Sequence, residues 1–570
     1  MVRLVTHLLL PLAAFASANA QQADSGIVSS RNGMVVSTSA PASDVGAAVL
    51  KKGGNAIDAA VATAFALAVT HPSAGNIGGG GFMVIRPATG APVTIDYRER
   101  APGRSTQTMY LDSTGKIVRQ MTATGYLAPG VPGTVAGMYM AHKKYGVLSW
   151  KDVVLPAAEL AEKGFVLSEG LARSLNRELA GQMAKYPASL AAYGKPGGGQ
   201  WIAGDTIRLK DLAGSLRYIA VTGPNAFYNG WIADSIESTM RANGGIMTKR
   251  DLAEYEAKMR SPVVGKYRGF EIISMPPPSS GGVAMMEMLN ILENFDLPKW
   301  GASSPQTLHY EIEAMRRVYL DRARYLGDPD FVKDMPLDRL TSKPYAKTLA
   351  SSIDPNHASS SAELGKDIIS AIASTEHDET THFSVVDAKG NAVSNTFTLE
   401  GGFGSHVVVP GTGMILNNEM GDFNKKPGET NLTGDIGTPA NIIAPGKRML
   451  SSMDPTIITK DGRLFMVTGS PGGRTIINTV TEIVLNATTF AMDVRQSVDA
   501  PRFHHQWLPD EVTFERDAIP DSTLQALTAM GYAVKFGGNQ GDGNSIIIRD
   551  GVAYGANDIK RSVDSKAAIP

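Results

Sequence analysis

Apolar residues recur at helical spacing along much of the chain. Across residues 51–69, Ala56, Val61, Ala64, Phe65 and Leu67 give apolar faces that predict a buried helix. The same reading predicts helices from Thr134 through His142 (opened by Gly130-Val131-Pro132-Gly133), over residues 150–163 and 282–293, and in part of 203–220. A long one covers residues 308–325, with Glu311, Met315, Val318 and Leu320 among its spaced positions. Short β-rich runs predict strands at 82–85, 93–97, 382–387, 392–398, 407–409, 456–458 and 464–468. Lys389-Gly390-Asn391 supplies turn chemistry between the two strands that it separates. Residues 351–377 are rich in Ser, Ala, Asp and His with little periodicity, and predict an exposed tether that ends at Thr380. Residues 422–449 predict a long irregular loop of the kind that is usually functional or disordered.

Two threonines, Thr380 and Thr381, stand at the mouth of a predicted strand. A threonine hydroxyl is a poor nucleophile until a nearby amine takes its proton, and its own α-amine can do so once the chain is cut before it. Such an amine titrates near pH ~8, so part of it is basic under working conditions. Taken alone, the pair equally suits an ordinary strand, where β-branched residues are common. Gly75 to Gly81 suggests a phosphate loop, but it lacks the Lys-Ser/Thr of a nucleotide site and follows a helix instead of a strand. Close backbone packing explains it better. The turn Gly469-Ser470-Pro471-Gly472-Gly473-Arg474 opens a predicted helix through Asn486, and glycines at a helix start expose N–H groups to anionic atoms.

Composition narrows the function classes. With 570 residues, 43% hydrophobic and 19% charged, the chain is long and apolar enough for a large core. A net charge of −1 provides no electrostatic footprint for nucleic acid or an anionic membrane. There is no cysteine, which excludes thiol nucleophiles, thiolate metal sites and disulfides. His504-His505 point to opposite strand faces and have no suitably spaced third ligand, so no metal is expected. The start combines Arg3, an apolar run from Leu8 to Ala16 and Ala18-Asn19-Ala20, which are the parts of a secretory signal peptide cut after about Ala20. The run is too short to span a membrane, and no other segment is long and apolar enough. A periplasmic or secreted protein is expected.

Together these motifs resemble the γ-glutamyltransferases, also called glutathione hydrolases, of the N-terminal-nucleophile superfamily. The resemblance runs from about Arg31 to Ser562. It rests on Gly75 to Phe82, Asp96-Tyr97-Arg98-Glu99, Gly130 to Thr134, Thr380-Thr381-His382, Asn417 to Phe423, Lys447-Arg448, Ser451-Ser452-Met453, Gly469 to Gly473 and Ala500 to Gln506. It implies an α+β fold, a four-layer αββα sandwich, made from one precursor that cuts itself between Glu379 and Thr380. With residues 1–20 as signal peptide, the large subunit would be 21–379 and the small subunit 380–570. Thr380 is expected to form a γ-glutamyl ester that water or an amino acid or dipeptide amine resolves, with no cofactor. Arg98, Ser451 and Ser452 are expected on the donor's α-carboxylate, Glu419 and Asp422 on its α-ammonium, and the Gly472 and Gly473 amides on the oxyanion. Thr398 would orient Thr380, and Thr381 would support it from behind.

The chain departs from the common family pattern twice. Glu400 stands where many members carry Asn, which would gather three carboxylates near one cation if it faces the ammonium site. The lid stretch Asn431-Leu432-Thr433-Gly434 has no tyrosine where members often have one, leaving the balance of hydrolysis and transfer open. Two rivals are weighed: a same-fold acylase of the glutaryl-cephalosporin type, and a non-catalytic binding protein. The first lacks a need for Glu419 and Asp422; intact Thr380, Thr398 and Gly472-Gly473 oppose the second.

Overall fold

The computed structural model describes residues 26–369 and 380–570. The expected signal peptide, cleavage after Ala20 and Glu379 therefore fall outside the described residues. Two seven-stranded sheets form the middle of the molecule. In one, the strands run in the order Lys566–Ala568, Gly33–Ser37, Thr381–Asp387, Ala392–Thr398, Gly80–Arg86, Val93–Asp96 and Lys258–Arg260. The other runs Val28–Ser30, Val552–Ala556, Ser545–Arg549, Arg463–Thr468, Thr456–Lys460, Phe270–Ser274 and Val263–Tyr267. Every neighbouring pair in both sheets is antiparallel.

Met34, Val36, Val84, Val386, Ile457, Val467 and Ile546 interdigitate between the sheets. This follows from strand alternation, since one face of each strand must be buried against the other sheet. The opposite faces are covered by helices, among them Ala56–Thr70 on the first sheet and Gly281–Leu292, Pro305–Tyr325 and Ile476–Thr488 on the second. The architecture is the αββα sandwich.

Helix Ala56–Thr70 is buried at every position, so its ends must be satisfied internally. Asn55 and Asp58 form a capping box, and Asp387 Oδ2 accepts the Ala56 amide at 3.0 Å. The helix predicted to start at Lys51 is thus two helices. Ala40–Lys51 ends there, and Gly53-Gly54-Asn55 breaks the chain before the cap. The glycine run packs as its composition suggests: a Cβ at Gly79 would strike the Thr398 carbonyl, and one at Gly78 the Ile415 carbonyl. The strand expected at 407–409 is only an isolated bridge, Val408 to Ile415.

The expected tether also differs in its described half. Arg317 binds the Ser352 carbonyl at 3.0 Å, Glu313 Oε1 accepts the Ser359 amide at 3.1 Å, and Trp507 Nε1 donates to Ser361 O at 2.8 Å. Asp510 Oδ2 accepts the Ser361 amide at 2.8 Å, and Ser361 is buried. Polar anchors hold this segment where hydrophobic periodicity does not.

Candidate active site

The hairpin of Thr381–Asp387 with Ala392–Thr398 sets Thr380 and Thr398 opposite each other. Thr381 pairs with Phe397, so the next residue on each strand is Thr380 and Thr398. Directly opposite residues of an antiparallel pair share a face. Both line one pocket with Arg98, Glu400, Glu419, Asp422, Ser451, Ser452 and Gly473. Alternation sends Thr381 the other way, where its hydroxyl meets Thr38 Oγ1 at 2.7 Å. His382 is fully buried, with its nitrogens on Thr396 Oγ1 at 2.8 Å and Ser384 Oγ at 3.1 Å. Burial pushes its imidazole down to about 3, so it stays neutral.

Arg98 follows strand Val93–Asp96, and Asp96 Oδ1 accepts its amide at 3.0 Å. The guanidinium is buried and ion-paired with Glu419 and Asp422, with Glu99 at 3.7 Å. Burial disfavours its charge, but Glu419, Asp422 and Glu99 outweigh that and raise its pKa. Burial pushes Glu99 up to about 8 and Glu419 upward as well, each against the attraction of Arg98. Near neutrality the cluster therefore holds protons as well as charge. Glu419 and Asp422 sit on a single 3-10 turn, Glu419–Asp422. Asn417 fixes that turn: its Oδ1 accepts the Glu419 amide at 3.0 Å and the Gly130 amide at 2.8 Å. Its Nδ2 donates to the Gly78 and Gly130 carbonyls at 2.8 Å. Glu400 adopts φ +80°, its amide donates to Thr398 Oγ1 at 2.8 Å, and its carboxylate accepts from Asn418 Nδ2.

The far wall is the Ser451-Ser452 segment. Ser280 donates to the Ser451 carbonyl through its amide at 2.8 Å and its hydroxyl at 2.6 Å. Ser452 Oγ accepts from Arg322 Nη2 at 3.1 Å. At the pocket's edge Gly472 and Gly473 have φ of +130° and +53°, and a Cβ at Gly472 would meet Thr475 Oγ1 at 2.5 Å. Thr475 holds the Gly472 carbonyl through its amide at 3.0 Å and hydroxyl at 2.8 Å. The two glycine amides donate to no backbone acceptor among the described residues, just before helix Ile476–Thr488.

A family model described as Gamma-glutamyltranspeptidase matches residues 42–568. The chain belongs to the gamma-glutamyltranspeptidase family. It is 48% identical to the glutathione hydrolase proenzyme of Escherichia coli (strain K12), over 95% of this chain and 92% of that one. Among solved structures, cephalosporin acylase from Bacillus halodurans aligns with a TM-score of 0.82 at 26% identity, covering 99% of both chains. Helicobacter pylori gamma-glutamyltranspeptidase aligns at 48% identity with a TM-score of 0.55, covering 56% of this chain and 91% of that one.

In this gamma-glutamyltranspeptidase-family chain the pocket brings together Thr380, Thr398, Arg98, Glu400, Glu419, Asp422, Ser451, Ser452 and Gly473; Gly472 adjoins it and Thr381 turns away. Sequence reasoning missed Arg322 and Arg474, which line the same pocket. Arg322 also donates to Ser280 Oγ at 2.8 Å, so it braces the serine wall from helix Pro305–Tyr325. The available signal was the density of charge in a helix whose residues are mostly buried, Arg316, Arg317, Asp321 and Arg322.

Proposed function

We propose that this chain is the precursor of a γ-glutamyl hydrolase/transferase that acts on glutathione and related γ-glutamyl compounds. The observation that carries the proposal is the pairing of Thr380 with Thr398 beside a pocket holding Arg98 against Glu419 and Asp422. An α-amino acid end is a zwitterion. Its carboxylate matches Arg98 and the Ser451 and Ser452 hydroxyls, and its ammonium matches Glu419, Asp422 and Glu400. Binding then exchanges internal ion pairs for cross-pairs of the same sign pattern, which limits the desolvation penalty.

Processing precedes turnover. Thr380 Oγ attacks the Glu379 carbonyl, the peptide nitrogen leaves as the Thr380 amine, and water opens the resulting ester. This releases a large subunit, 21–379, and a small one, 380–570, which remain together. The freed amine takes the Thr380 hydroxyl proton as the hydroxyl attacks the γ-carbonyl. It then returns that proton to the leaving amine. The Gly472 and Gly473 amides face the oxyanion, and Thr398 orients the nucleophile. Water or an acceptor amine resolves the γ-glutamyl ester, and no step calls for a cofactor. His382, buried and neutral, does not compete as base.

The resemblance to cephalosporin acylase keeps an acylase as the second reading. Glu419 and Asp422 beside Arg98 favour a donor with an α-amine, which a glutaryl group lacks. Among the described residues no helix is long and apolar enough to cross a membrane. Removal of residues 1–20 on export to the periplasm or medium completes the proposal. The test is a denaturing gel with N-terminal sequencing of the smaller band. Two bands, the smaller starting Thr-Thr-His-Phe, are expected, with one inactive band for Thr380→Ala. A different start sinks the mechanism, and faster turnover of a glutaryl than a γ-glutamyl anilide selects the acylase.

A further inference from the structure

A second cavity, of about 470 Å³, lies between helices Pro305–Tyr325 and Ile476–Thr488 and the small sheet containing Phe503 and Phe514. It shares no lining residue with the pocket of Thr380. Its walls are largely apolar, including Leu308, Leu485, Phe490 and Ile519. Three carboxyl residues line it: Asp499, and Glu311 and Glu482, which are 5% and 7% exposed. Glu482 Oε1 accepts the Phe503 amide at a long 3.4 Å, and its Oε2 has no hydrogen-bond partner. The charge of Glu311 is close enough to act on Glu482. Arg495 and Lys560 line the cavity too and are engaged by other groups, as is Arg502 nearby, although the buried Arg495 Nε has no hydrogen-bond partner. Arg495 donates to Asp499 at 3.1 Å and Asn557 O at 2.6 Å, Lys560 to Asp499 O at 2.7 Å, and Arg502 to Asp558 at 2.8 Å.

An unpaired buried carboxyl is costly, and two side by side are worse, unless protons or a cation accompany them. We propose that this cavity is a second binding site, for a small organic ammonium with an apolar body, whose nitrogen donates hydrogen bonds to Glu311 and Glu482. The volume falls within the usual range for small ligands, roughly 300–1,000 Å³, and the apolar walls suit a hydrocarbon or aryl body. Burial pushes Glu311 up to about 8 and Glu482 upward too, which favours the protonated carboxyls. An arriving ammonium favours the ionised form of one, and that carboxyl's proton goes to the buffer.

The probe is 2-phenylethylamine, protonated at neutral pH with three N–H donors, and titrated without a γ-glutamyl donor so that no acyl transfer consumes it. Calorimetric titration of the processed wild-type protein in two buffers of different ionisation enthalpy should give one saturable site with proton release. Neutral 2-phenylethanol should not bind. Glu311→Gln and Glu482→Gln should each weaken binding by about tenfold or more through loss of a charged acceptor. Ala518→Leu, which fills the cavity and leaves both glutamates in place, should weaken it as well. Each variant is first checked for a single cooperative unfolding transition and intact subunit cleavage. Absence of saturable binding, equal binding of the alcohol, indifference to all three substitutions, or displacement of the amine by L-glutamate overturns the proposal.

Discussion

Replacing Arg98 with lysine keeps a positive charge in the pocket of Thr380 and removes the guanidinium fork. That fork is buried, pairs with Glu419 and Asp422, and lies 3.4 Å from the Met449 and Leu450 carbonyls. A lysine ammonium offers three donors on one nitrogen, so it cannot meet flanking carboxylates and both oxygens of a donor carboxylate together. A hydrogen bond to a charged group is worth about 1.5–3 kcal/mol. At about 1.4 kcal/mol per tenfold, losing one predicts a fall of about 10- to 150-fold in kcat/KM. The assay compares γ-glutamyl-p-nitroanilide with 4-aminobutyryl-p-nitroanilide, which lacks the α-carboxylate. Arg98→Lys should reduce kcat/KM with the first donor and leave the second nearly unchanged, with subunit cleavage intact. Equal losses on both donors, or none on either, refute a carboxylate role for Arg98. Alanine is the wrong variant, because stripping the buried cation from three acids costs about 3–5 kcal/mol and confounds folding with binding.

Three further outcomes are expected. Glu400 helps to raise Glu419, so Glu400→Asn should move the acid limb of kcat/KM to lower pH while subunit cleavage persists; an unmoved limb removes Glu400 from the ammonium site. Thr433→Tyr should raise the transfer-to-hydrolysis ratio with glycylglycine, because an aromatic lid excludes water from the acyl-enzyme; a wild type that already transfers far faster than it hydrolyses refutes this. Glu311, raised from 4.5 to about 8 by burial, stabilises the fold most below its unfolded pKa and loses that contribution as pH rises through about 8. Glu311→Gln should therefore gain on wild type in unfolding midpoint between pH 5 and 8, and a constant gap across that range counts against the shift.

What was legible in the sequence is mostly what is local. The hairpin around Lys389-Gly390-Asn391 can be read from turn chemistry and alternation, and it alone sets Thr380 across from Thr398. Helix Trp150–Lys163 was likewise readable, since its periodicity lies within one stretch. Arg322 was not, because its place in the pocket depends on Ser280 and Ser452, 42 and 130 residues away. Residues 351–365 were misread for the same reason. Their anchors, Arg317 and Trp507, belong to other elements, and polar anchoring leaves no hydrophobic period. The Asn55 cap was overlooked where apolar spacing ran on across it, placing the helix start at Lys51.

The surroundings of Thr380 bear on why a threonine at this position would need chain cleavage at all. His382, the imidazole nearest in sequence, is buried, pushed down to about 3 and already hydrogen-bonded at both nitrogens. Glu99 and Glu419 are shifted upward by burial, but they surround Arg98, whose positive charge disfavours their gaining a further proton. Glu400 accepts from Asn418. In the proposed mechanism the missing base is the nitrogen of Thr380 itself, which as an amide has no basic lone pair. Cutting the Glu379–Thr380 bond converts that amide into an amine titrating near pH ~8, beside its own hydroxyl. Peptide-bond cleavage and creation of the catalytic base are then a single event, so uncut chains should be inactive towards γ-glutamyl donors even though Arg98, Glu419 and Asp422 are already assembled. Donor-analogue binding by Thr380→Ala without turnover would separate those two properties; failure of that variant to bind would mean that cleavage also completes the pocket.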